Sequence, residues 1–181
     1  LLSDIIGCPE EYRICIENYL EPFMNYYVVE NEQEALEAVK LLSNSSQGRA
    51  QFFVLSKLDT YQRSNEPNTS GLITAMSVVE YDAKYEHLIT YLLDNVCIYD
   101  GELPAADDNV KLIAKSGKLT KKTFSMGGGS VGLFEGKRIG RAKNLDKLEK
   151  EIKKLQGNRD EVKTKITNAE EQANELKLQS N

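Results

Sequence analysis

Leu145, Leu148, Ile152, Leu155, Arg159, Val162, Ile166, Ala169, Ala173 and Leu176 follow one another at alternating spacings of three and four residues, and nine of the ten are apolar. An apolar seam with that period keeps one face only as a helix. Sustained over about five heptads, it predicts a coiled coil. At 1.5 Å per residue the helix would be on the order of 55 Å long. A narrow stripe of that length has to be buried on another helix, because the tail holds no second helix of its own. Gly157-Asn158 offers a competing turn, with Glu161 as a capping partner. The heptad phase passes through it unbroken, and an interior glycine costs only about 1 kcal/mol. A continuous helix is therefore expected.

Upstream of the seam lies FSMGGGSVGLFEGKRIGRAKNL, residues 124–145. Gly127, Gly128 and Gly129 are consecutive, and Gly132, Gly136 and Gly140 follow. Three readings stand side by side: a nucleotide loop, a tight turn, or a surface where another backbone must come close. The phosphate-loop pattern fails because no Lys-Ser or Lys-Thr follows at the required spacing. Gly127, Gly129 and Gly132 spell GxGxxG, yet neither the strand–helix unit nor the ribose-binding acid accompanies it. Close approach is the favoured reading, because glycine has no Cβ.

Before the glycines the chain alternates between helical and extended signals. Tyr12, Ile16, Tyr19, Leu20 and Phe23 fall at helical spacing after Pro9. Residues 26–29 (YYVV) read as a strand. Asn31 and Glu34 form a capping box for a helix carrying Ala35, Leu36, Val39 and Leu42. Residues 49–55 (RAQFFVL) are nearly all apolar and predict a central strand. Residues 56–71 read as a loop and 73–81 as partly extended. A helix over Tyr85 to Leu93, a strand at 96–99, a turn or short helix over 101–108, and a hairpin around Ser116-Gly117 complete the series. The fold class is mixed α/β, in two parts, followed by a long coiled-coil helix. The expected domains are 1–140 and 141–181.

Charge divides at the same place. Residues 1–136 carry 11 Lys+Arg and 20 Asp+Glu, while 137–181 carry 12 and 8. The basic density peaks at Lys137, Arg138, Arg141 and Lys143, and Lys121 and Lys122 could extend it. Such a cluster is either a solvated helix start or a contact to the phosphate backbone of DNA. No base-reading motif is present, so binding of that kind would ignore sequence. The single histidine excludes a multi-histidine metal site, and three cysteines without CxxC spacing read as buried thiols. No catalytic constellation emerges; Asp107 and Asp108 read as solvated caps. With no initiating Met, no signal-like segment and no apolar run of membrane-spanning length, the chain reads as an excised fragment of a cytosolic protein.

LLSDIIG at the start, the helix ending in ENYL, the strand after GRA, LLDNVCIYD at 92–100 and GGGSVGLFEGKRIGRAKNLDKLEKEI together resemble the hinge domain of structural maintenance of chromosomes (SMC) proteins. The short glycine-serine ending is similar to bacterial members. The resemblance implies a non-enzymatic hinge that homodimerises and joins two coiled-coil arms of a cytoplasmic, nucleoid-associated protein for chromosome condensation and segregation. It implies no cofactor in this fragment; ATP and Mg belong to a head domain not contained in it. The N-terminal arm helix that would pair with the tail is absent too. Family dimer contacts would fall on Gly127, Gly128, Gly129 and Gly132, and DNA contacts at the hinge–arm joint on Lys137, Arg138, Arg141 and Lys143. The lysines at 115, 118, 121 and 122 are more numerous than the family leads one to expect. The competing reading is a ligand-binding α/β domain on a coiled-coil stalk.

Overall fold

The computed structural model describes residues 1–63, 71–132 and 135–179. Two compact units result, Leu1–Arg141 and Ala142–Asn181. In the first, α1 (Leu2–Ile5) and α2 (Glu10–Leu20) lead through a 3-10 turn, Glu21–Phe23, to β1 (Tyr27–Val29). The N-cap expected at Asn31 is present: its side chain accepts from the Glu34 N–H at 3.0 Å and starts α3 (Glu32–Ser45). After α3 comes β2 (Phe52–Val54), parallel to β1.

Strand β2 is not central. Among the described residues it pairs with β1 alone, in a two-stranded sheet. Its apolar letters come from aromatic packing, not from flanking strands. The Phe53 ring lies 4.9 Å from Tyr26, 5.8 Å from Phe23 and 6.4 Å from Tyr91, while Phe52 stacks beside Tyr27 at 5.7 Å. Strand neighbours and ring neighbours both favour β-branched and aromatic residues, so the sequence pattern does not tell them apart. The segment read as a loop contains a helical turn, α4 (Leu55–Leu58), and 64–70 lie outside the described residues.

The larger sheet holds β3 (Ile73–Thr74), β4 (Val96–Tyr99), β5 (Lys111–Ala114), β6 (Leu119–Lys122) and β7 (Ser125–Gly128), in that spatial order. Only β4 and β5 run parallel; the other pairs are antiparallel. The partly extended stretch resolves into β3, the turn of helix α5 (Ala75–Val78) and a bridge from Glu80 to Gly7. Residues 101–108 form turns without a helix, and α6 (Glu86–Leu93) precedes β4. Alternation along the strands sorts the core. Val96, Ile98 and Ile113 join α2 and α6 through Ile16, Leu20, Leu88 and Leu92. Cys97, Tyr99, Leu112 and Ala114 point the other way into a smaller cluster closed by Leu72, Ala106 and Leu119.

In the second unit, α7 (Arg141–Gln179, the first residue belonging to the first unit) runs through Gly157-Asn158 without a break. Leu145, Leu148, Ile152, Leu155, Val162, Ile166 and Leu176 all stand exposed along it. No helix of the described residues is long and apolar enough to cross a membrane.

Candidate functional site

The glycine-rich segment forms an edge. Strand β7 bounds the larger sheet, and all four of its residues are exposed. Its neighbour β6 takes one side through the pairs Leu119–Gly128, Thr120–Gly127, Lys121–Met126 and Lys122–Ser125. The Gly129 N–H donates to the Lys118 carbonyl at 3.0 Å. Antiparallel pairs alternate in their hydrogen bonding, so 120–127 and 122–125 continue that ladder. Met126 and Gly128 therefore turn their N–H and C=O groups outward, away from β6. A row of unpaired main-chain groups of this kind is a template for another strand.

Each glycine has its own reason. A Cβ on Gly128 would lie 2.3 Å from the Lys118 carbonyl oxygen, so the main chain entering β6 forbids a side chain there. Gly129 has φ +156°, a conformation L side chains rarely adopt. At Gly127 a Cβ would meet nothing within 4 Å, and at Gly132 only the flexible Glu135 carboxylate at 3.3 Å. The run is therefore strand and strand end, not a tight turn, with crowding by this chain's own backbone at Gly128 and open approach at Gly127.

Beside β7 lies a concavity of about 360 Å³ whose wall includes Asn18, Tyr19, Thr120, Lys122, Gly127 and Glu135. Its floor is α2, with the Lys122 ammonium over the Tyr19 ring at 5.1 Å. Asn18 Nδ2 donates to the Gly117 carbonyl at 3.1 Å and to Glu135 Oε2 at 2.9 Å, while the Gly132 N–H donates to Glu135 Oε1 at 3.0 Å. The Gly132 amide and then the Asn18 amide hold the Glu135 carboxyl below the usual carboxylate range. Among the described residues, neither a serine or cysteine nucleophile hydrogen-bonded to a base nor a group of three or more potential metal ligands is found.

Two of the four basic residues expected at the joint have described side chains. Lys137 is exposed. Arg138 is half-buried, and its guanidinium donates to Asn25 Oδ1 at 2.8 Å. The side chains of Arg141 and Lys143 lie outside the described residues. Sequence reasoning missed the residue that fixes this stretch. Glu17, buried on α2, accepts with one carboxylate oxygen from the Arg138 N–H and from the Ile139 N–H, the latter at 2.6 Å. The Gly140 N–H donates to the Ser3 carbonyl at 3.2 Å. The signal was available in principle: Glu17 is an acid among the apolar positions of α2.

The model of the SMC proteins flexible hinge domain matches residues 1–105, more than half of the chain. The chromosome partition protein Smc of Chlorobaculum tepidum is 27% identical over 158 residues, covering 83% of this chain and 13% of that protein. Its namesake in Bacillus subtilis is 27% identical over 166 residues, covering 84% and 14%. The chain thus spans about one seventh of the length of these curated relatives, and others come from archaea. The crystal structure of the Pyrococcus furiosus SMC hinge domain superposes with a TM-score of 0.61 at 25% identity, over 73% of this chain and 74% of that one. An asymmetric dimer of the Geobacillus stearothermophilus SMC hinge domain gives 0.63 at 21%, over 86% and 66%, a likeness of fold. The matched stretch, the relatives and the architecture agree, and this chain belongs to the SMC hinge domain family.

Proposed function

We propose that this chain is a homodimerisation module in which β7 of one copy adds to a sheet edge of a second, joining two long helical arms of a chromosome partition protein. The observation that carries it is the outward row at Met126 and Gly128, on an exposed edge without bulky covering. The two-stranded β1–β2 sheet supplies the complementary edge. A two-fold axis makes both contacts twice, so neither edge is left open to further chains. Main-chain pairing gives affinity, and the neighbouring side chains give selectivity. A stable pair should bury more than about 2,000 Å². The name of the Geobacillus hinge structure speaks of a dimer, which supports self-association as such.

Met126→Pro tests it. Proline removes an outward N–H and is tolerated on edge strands, so the fold should survive. Sedimentation should show dimers for the parent chain and monomers for the variant. A variant that still dimerises with unchanged affinity would refute strand addition at this edge. A melting shift with nucleotide would favour the ligand-binding reading for the concavity.

The same module would touch DNA without sequence preference at Lys137, Arg138, Arg141 and Lys143. The supporting observation is the change from an acidic first stretch to a basic one, with Lys137 exposed at the change. Charge reversal of Lys137 and Arg141 should lower affinity and flatten its salt dependence. Absence of binding by the parent chain at low salt would end that part of the reading. In a dividing cell the module would work in the cytoplasm, at the nucleoid.

A further inference from the structure

Phe124 is 98% exposed, in the turn that joins β6 to β7. A phenylalanine ring standing wholly in water at a hairpin tip loses its full burial free energy unless something covers it. We infer that Phe124 is the side-chain anchor of the self-association and seats on the α3 flank of a second copy; this rests on the dimer reading above. Three features single out that flank. Leu36 and Val39, three residues apart on α3, are 53% and 44% exposed. Val39 and Leu42 open onto a concavity of about 380 Å³ with Gly48, Arg49, Ala50 and Gln51, immediately before β2. That volume accepts an aromatic side chain, and it lies beside a free sheet edge just as Phe124 lies beside β7.

Charge points the same way. Residues 111–128 hold five lysines and no acid, whereas Glu30, Glu32, Glu34 and Glu37 crowd the start of α3. Lys115 is committed to Glu11 and Glu32 to Lys57. Lys118 and Lys121 have no acidic partner within 4 Å among the described residues, nor has Glu37 a basic one. A basic hairpin with an aromatic tip thus faces, in a second copy, an acidic helix with an apolar flank. The lysines beyond family expectation acquire a role in selecting the partner surface and setting its register. Aromatic anchors in pockets dominate such interfaces, while the surrounding charges act on rate and orientation.

The test uses the chain itself. Phe124→Ala should weaken the dimer at least about 30-fold, the scale of a hot-spot residue, with the melting of the monomer unchanged. Phe124→Cys combined with Val39→Cys should give covalent dimers with a short bis-maleimide, and neither single variant should. The three native thiols are buried and leave little background. If Met126→Pro abolishes the dimer while Phe124→Ala leaves its affinity unchanged and the double-cysteine variant does not cross-link, the anchor is refuted and strand addition stands. If the parent chain is a monomer at tens of micromolar, both are overturned.

Discussion

The two halves of the glycine-rich segment, 132–140 and 125–129, hold three glycines each and stand in opposite circumstances. Residues 135–140 lie against α1 and α2, tied by Asn18, Glu17 and the Ser3 carbonyl. Residues 125–129 reach out along a sheet edge and expose every side chain. The molecule's own atoms forbid a side chain at one glycine of each half, Gly136 in the first and Gly128 in the second. Gly136, at φ +79°, would put a Cβ 2.7 Å from Ile14, just as Gly117, at φ +76°, would put one 2.4 Å away. In the second half Gly127 faces open space. A run of glycines is therefore not one signal. Part of it closes this chain on itself, and part keeps a surface bare.

The largest effect should come from the closed half. Gly136→Val combines a left-handed backbone with an overlap against Ile14, which is held by α2. Strain and overpacking of this kind cost about 1–3 kcal/mol each, a loss on the order of 4 kcal/mol that thermal unfolding should register as a large drop. A variant that melts with the parent would mean that the segment does not rest on α2. Next comes Glu17→Ala, which leaves two main-chain N–H groups of a partly buried stretch without their acceptor. A lost buried acceptor costs about 1–3 kcal/mol. Hydrogen exchange at residues 138 and 139 should quicken most, and Glu17→Gln, which retains a carbonyl oxygen, should fall between. Equal exchange in all three proteins would remove Glu17 from this role.

What the sequence made legible was whatever has a period or a cap. The heptads of α7, the Asn31 cap and the hairpin around Gly117 are local, and each appears where expected. The dimensions of the sheets were not legible, because membership in a sheet depends on distant partners. β2 reads as central by composition and ends as half of a two-stranded pair, its phenylalanines occupied by rings from residues 23, 26, 27 and 91. At the candidate site, Gly127 to Gly129 were legible as a place without side chains beside a sheet edge, but which main-chain groups turn outward there, those of Met126 and Gly128, was not. Glu17 was missed because its partners are main-chain amides more than a hundred residues away, and amides leave no letter.

A smaller effect distinguishes the floor of the closed half from the solvent. Burial pushes the Cys8 and Cys15 thiols from the usual 9.0 up to about 11. Both stay protonated in the folded chain where an unfolded chain would ionise. Their contribution to stability is full below pH 9 and declines from there to about pH 11. Melting temperature should fall across that window, and a Cys8→Ala, Cys15→Ala variant should show a flatter fall. The native thiols should also resist alkylation at pH 8 until denaturant is added. Rapid modification without denaturant would show that this side of α2 is open.

The smallest effect is expected at Gly127, and its smallness is the point. Alanine there adds a Cβ that meets nothing within 4 Å, on an exposed strand without left-handed geometry. Replacing glycine by alanine removes freedom from the unfolded chain, about 0.4–1 kcal/mol in favour of the fold. The melting temperature of a dilute, monomeric sample should rise slightly or stay level. Any loss of self-association in the same variant then cannot be charged to folding and must be felt by the second copy, whose backbone would meet the new methyl group. Lowered melting would place Gly127 with Gly128 and Gly136 among the glycines this chain needs for itself, and the division between a closed half and a bare half would move to Ser125 and Met126.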